Sequence, residues 1–184
     1  FQLSVAAPEL AGTRAGENGA DDALNGFDSA YGAIDYLQTT DAVDPYRVDW
    51  KEVDLRYTLE VYDVAADYTG AVPVKDRQVI IKDKYEPVVF TLRLVPKRNY
   101  HFVVFADFVA EGSAEAEDKL AIADLYYNTA DLRNISAITD QPTWNAMNEI
   151  RDAYFISKDI EVTTGLQETL TLTRPFAKLR VITT

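Results

Sequence analysis

Between Val53 and Val64 the chain alternates for five full periods. Val53, Leu55, Tyr57, Leu59 and Val61 share one face, and Asp54, Arg56, Thr58, Glu60 and Tyr62 share the other. A period of two separates these sets across a β-strand, whereas a helical period of 3.6 would mix them. The same reading gives strands at Phe1–Ala7 (Phe1, Leu3 and Val5 against Gln2 and Ser4), Arg77–Lys82 and Val88–Val95. It also gives Tyr100–Val109, Ala153–Thr163 and Glu168–Thr173, with turn signals at Thr69-Gly70, Pro96-Lys97-Arg98-Asn99 and Gly165. Tyr100–Val109 is apolar on both faces, which predicts a central, fully covered strand. About seven strands with no βαβ rhythm predict an all-β fold, an antiparallel Greek-key β-sandwich, rather than a doubly wound nucleotide fold.

The closing run, Arg174-Pro175-Phe176-Ala177-Lys178-Leu179-Arg180-Val181-Ile182-Thr183-Thr184, continues apolar alternation past a proline that no central strand accommodates. A bend or crossover between two strand pieces is expected there. An unfinished strand edge also invites another strand, from this chain or a neighbour.

Residues 1–184 read as a single sandwich domain in three parts. Residues 1–7 form a first strand, 8–50 a mobile loop region rich in small and acidic residues, and 51–184 the sandwich core. Residues 24–37 read either as a short helical turn or as an irregular apolar hook. Residues 111–149 form a long excursion with few strand signals and one helical stretch near Asp118–Tyr127. A sequence that begins Phe1-Gln2-Leu3, with neither Met nor a leader pattern, reads as a processed or trimmed chain.

A net charge of -12 argues against nucleic acid and anionic membrane surfaces as partners, since both reward clustered Lys and Arg. The absence of cysteine excludes thiol nucleophiles, zinc fingers and disulfide support. No apolar run is long enough to span a membrane as a helix.

Acidic groups (Asp21-Asp22; Asp41, Asp44 and Asp49; Glu115, Glu117 and Asp118) lie in loop-like composition and read as solvated surface rather than acid/base pairs. No Asp-x-Asp-x-Asp-Gly calcium spacing occurs, and no metal or cofactor is expected. His101, the single histidine, lies in the central strand, so any Ser-His-Asp triad has to use it. No Gly-x-Ser-x-Gly elbow, phosphate loop or dinucleotide fingerprint accompanies it, and the chain reads as no enzyme. Tyr126, Tyr127 and Trp144 are candidate contacts for a glycan or a protein; the simpler reading has them close one end of the core. Asn134-Ile135-Ser136 matches the N-glycan sequon, and Arg14 stands in a small-residue loop of the kind where nicking concentrates.

Several segments in combination resemble fimbrillin-type proteins, the pilin-like surface lipoproteins of Gram-negative gut and oral anaerobes. They are Asp54–Asp63, Leu92-Arg93-Leu94-Val95-Pro96 leading into Tyr100–Val109, Tyr127–Ile135, Arg151-Asp152-Ala153-Tyr154-Phe155, and Arg174–Val181. The resemblance covers residues 53–184. It implies a transthyretin-like sandwich at the cell surface, attached to the outer membrane through a processed N-terminus, with a second domain after Thr184. It implies further that an Arg-specific protease cuts at Arg14 and releases the strand carrying Phe1, Leu3 and Val5. The slot is then filled by a strand from another pilin subunit or a copy of the chain. The resulting expectation is a pilus subunit or adhesin domain that contacts subunits, host proteins or glycans; the alternative is a surface glycan-binding module.

Overall fold

The computed structural model describes residues 1–7, 48–64, 73–139 and 149–175. These belong to one compact unit; a second, Glu9–Pro45, lies outside them. The described chain is all-β. It comprises β1 (Gln2–Val5), β2 (Val53–Asp63), β3 (Gln78–Lys82), β4 (Val88–Thr91), β5 (Arg98–Ala110), β6 (Tyr127–Asn128), β7 (Ser136–Ala137), β8 (Ala153–Val162) and β9 (Gln167–Leu170). Two sheets face each other, one ordered β4-β1-β9 and one β3-β2-β5-β8, while β6 and β7 form a small ribbon. The core between them takes Leu3, Val5, Phe90 and Leu170 from the first sheet and Leu55, Tyr57, Leu59, Phe102, Val104 and Phe108 from the second. These are the apolar sets that the period-2 reading assigned inward.

The second sheet is antiparallel throughout, with β2 and β5 paired over eleven residues from Val53↔Ala110 to Asp63↔Tyr100. In the first sheet β1 is antiparallel to β4 but parallel to β9. The expected all-antiparallel sandwich is corrected at that pair, because alternation assigns faces and says nothing of direction. After Gly165, whose φ of +74° favours glycine, the chain runs through β9 and then returns to the second sheet. There Phe155 and Thr173 exchange both backbone hydrogen bonds, at 2.8 and 3.0 Å. The chain thus changes sheets ahead of Pro175; the second strand piece expected beyond that proline lies outside the described residues.

Two expectations need revision. Val88–Val95 is a strand only to Thr91, and the helix near Asp118–Tyr127 is reduced to one 3-10 turn, Lys119–Ala121, followed by β6. Trp50, placed by sequence in the loop region, packs on Tyr85 (ring centroids 4.9 Å) and Phe108 (5.9 Å) at one end of the core. The segment at 24–37, the acidic residues Asp21, Asp22, Asp41 and Asp44, and the run 176–184 lie outside the described residues.

The excursion after β5 covers the outer face of the second sheet. Tyr127 and Leu132 pack on Tyr62, Val103, Phe105 and Ala153 to make a second, smaller core. Both faces of β5 are therefore buried from Tyr100 to Val109, as the apolar residues on both of its faces predicted.

Candidate functional site: the slot of the first strand and a charged ladder

β1 is the central strand of its sheet although it is only four residues long. Leu3 and Val5 are fully buried, and Phe1 stacks obliquely on Phe102 with ring centroids 5.4 Å apart. Leu3 lies opposite Phe90 and Glu168; Val5 lies opposite Val88 and Leu170. Backbone bonds hold both sides: Leu92 N–H donates to the Phe1 carbonyl (3.0 Å) and Ala6 N–H donates to the Leu170 carbonyl (2.9 Å). Removing β1 would leave a slot the width of one strand, with β4 and β9 as unpaired edges and two apolar pockets on its floor. Burial of Leu3 and Val5 alone is worth about 3–6 kcal/mol. Phe1, Leu3 and Val5 are thus brought together on the core side of one strand, while Arg14 lies outside the described residues.

The outward face of β2 carries a different construction. Each of its polar residues but one fastens a piece of the covering excursion. Asp54 accepts from Ala114 N–H at 2.8 Å. Arg56 grips Asp107 with two bonds, Nε to Oδ1 at 2.9 Å and Nη2 to Oδ2 at 2.7 Å, and reaches Asp124 at 2.7 Å. Glu60 accepts from Arg77, which in turn donates to the Ala130 carbonyl at 2.9 Å. Tyr62 donates to Glu60 and lies under the Arg133 guanidinium, 5.4 Å from ring centroid to Cζ.

Burial pushes the Asp107 carboxyl up to about 6 against the pull of Arg56. Burial also works against the charged form of Arg56, but Asp107 and Asp124 outweigh it and raise its pKa. Burial likewise penalises Asp124, yet the Thr129 N–H and hydroxyl together with Arg56 hold its carboxyl below the usual range. Sequence reading missed this network. Its signal was available: an aspartate inside an otherwise apolar, doubly covered strand requires a buried cation.

The chain belongs to the family of unknown function DUF6562. The family model matches residues 18–184. No curated protein and no solved structure matches the chain. The DUF6562 span contains β4 and β9 but begins after β1, so the inserted strand lies ahead of it and both walls of its slot lie within it.

Other residues singled out in the sequence fall on the DUF6562 span. His101 accepts or donates between Asp159 (Nδ1 to Oδ1, 2.6 Å) and Ser157 (Nε2 to Oγ, 2.7 Å), the contact order of a nucleophile, base and orienting acid. Asp159 is 61% exposed on an edge strand, however, so its charge is shared with water rather than focused on the imidazole. Tyr127 is buried and donates to the Arg151 carbonyl, so its ring packs on protein. Tyr126 is half-buried beneath the Arg151 guanidinium, 5.1 Å from its ring centroid. Trp144 lies outside the described residues. Asp49 caps Lys51 N–H and Asp118 caps Leu120 N–H, both at 3.0 Å, which are turn-forming roles for acidic loop residues.

Proposed function

We propose that this chain is a domain of a cell-surface structural protein, a pilus subunit or adhesin of fimbrillin type, and that it assembles by β-strand exchange rather than by catalysing a reaction. The observation that carries the reading is the position of β1. A four-residue strand at the very start of the described chain occupies the centre of its sheet, between two strands that lie more than 80 residues further along, with two of its side chains fully buried. A strand in that position is recognised by main-chain hydrogen bonds and alternating apolar side chains, the features of β-strand addition. Partners on this reading are other subunits or copies of the same chain, and attachment is to the outer surface of the cell. The resemblance in segments 54–63, 92–109 and 174–181 supports the same role.

The test is cleavage with an Arg-specific protease, with the cut located by mass and molar mass followed by light scattering. A fluorescent Phe1–Ala7 peptide is then added. Cleavage after Arg14, followed by uptake of the peptide and no uptake of a peptide carrying Leu3→Asp and Val5→Asp, is expected. A folded, cleaved chain that takes up neither peptide nor a second copy of itself overturns the reading.

A further inference from the structure

On the outward face of β2, Asp54, Arg56, Glu60 and Tyr62 all have side-chain partners, and Thr58 between them has none among the described residues. Thr58 is 1% exposed, and its Oγ1 is buried without a hydrogen bond. Its cross-strand neighbours are Val79 and Phe105, so no polar group of the sheet lies directly opposite it. A hydroxyl buried this way costs free energy unless something pairs with it. Thr58 forms part of the wall of a cleft of about 210 Å³, lined also by Arg56, Arg77, Lys119, Leu120 and Asp124.

The groups left open on this cleft are donors. Arg77 uses Nε and Nη2 on Glu60 and Ala130, and its Nη1 makes no hydrogen bond among the described residues. Lys119 gives two of its three N–H bonds to the carbonyls of Ala114 (2.7 Å) and Ala116 (3.0 Å), and no carboxylate among the described residues pairs with it. Asp124, the acid on the wall, is taken by Arg56, by the Thr129 hydroxyl (2.8 Å) and by Thr129 N–H (2.7 Å). Open donors, one uncompensated ammonium and a buried hydroxyl suit an acceptor-rich ligand. The volume is below the roughly 300 Å³ where ordinary ligand pockets begin, so the cleft holds one small head group and not an oligosaccharide.

We infer that this cleft is a binding site for a small oxyanion, a carboxylate or phosphate group, held by Thr58 Oγ1, Arg77 Nη1 and Lys119 Nζ. The site lies on the opposite face of the second sheet from the strand slot and does not depend on strand exchange.

The test is an amide chemical-shift titration of the intact chain with sodium acetate, sodium glucuronate and inorganic phosphate at constant ionic strength, with chloride as control. Saturable shifts at Thr58, Arg77 and Leu120 are expected. Saturation by acetate and glucuronate alone assigns a carboxylate, and saturation by phosphate alone assigns a phosphate group. Thr58→Val separates ligation from a mere packing defect: affinity should fall about tenfold, the equivalent of one hydrogen bond to a charged group, while the free protein's Tm holds or rises. Lys119→Met, at the surface, should weaken binding without unfolding the chain. No saturation by any of the three anions, or unchanged affinity in Thr58→Val, overturns the assignment.

Discussion

The two sheets reach burial by opposite routes. In the β3-β2-β5-β8 sheet, long strands pair over ten or eleven residues, and the outer face is closed by a cover fastened through charged groups at Asp54, Arg56 and Glu60. In the β4-β1-β9 sheet the strands are four residues long and the centre is held by backbone bonds and three apolar side chains. Charge pairs fix one arrangement, because a buried ion accepts few partners. Backbone ladders and alternating apolar groups accept any strand of the right pattern. One sheet is therefore held by groups that fix their partners and the other by a pattern common to half-buried strands, the difference on which the proposed strand exchange rests.

The largest effect should come from emptying the slot. Deleting Phe1–Ala7 removes about 3–6 kcal/mol of side-chain burial and exposes two edges, so Tm should drop by roughly 10 °C or more and association should increase. Calorimetry and light scattering measure both, and a native Tm in the deletion would break the contrast. Adding the free peptide should restore most of the loss. Next comes the charged ladder, where Arg56→Ala strands Asp107 in the core and should cost about 3–5 kcal/mol in urea denaturation. No added peptide should rescue that loss, and the double change Arg56→Met with Asp107→Leu should recover most of it.

A pH series sharpens the point. The Asp107 pKa is raised in the folded chain from 3.8 to about 6. Its contribution to stability is thus fully present below pH 3.8 and is lost as pH rises through 6, a change on the order of 3 kcal/mol. The stability of the parent chain relative to Asp107→Asn should accordingly decline from pH 4 to pH 7. Asp124, lowered in the fold, acts in the opposite sense but is common to both proteins. A flat difference curve would mean that Asp107 is ionised as readily as in water.

The smallest effect is expected at the tie between the sheets. Lys158 and Glu168 pair at 2.7 Å with the lysine 45% exposed, so Lys158→Ala should change stability by about 0–1 kcal/mol. A much larger loss would show the two sheets to be coupled through that pair.

Alternation made the strands legible. Val53–Asp63 and Tyr100–Val109 were readable because each apolar residue declares a face, and apolar residues on both faces declare two covered faces. Phe1, Leu3 and Val5 were readable as one inward face for the same reason. The polar face of β2 was not readable as buried, because Asp54, Arg56, Thr58, Glu60 and Tyr62 look the same in sequence whether water or a cover lies over them. Nor could the loss of the helix near 118–127 be foreseen, since the segment is shaped by the attachment of Ile122 and Asp124 to Arg56 rather than by its own propensity.

By itself, then, the sequence determined which segments are strands and which side chains face inward, because that information is local and recurs every second residue. Only the tertiary structure decided that β1 lies between β4 and β9, parallel to a strand more than 160 residues away in sequence, and that Arg56 meets Asp107 and Asp124. Strand partners and buried ion pairs are chosen by long-range closure and by the need to satisfy groups removed from water. Neither has a period along the chain.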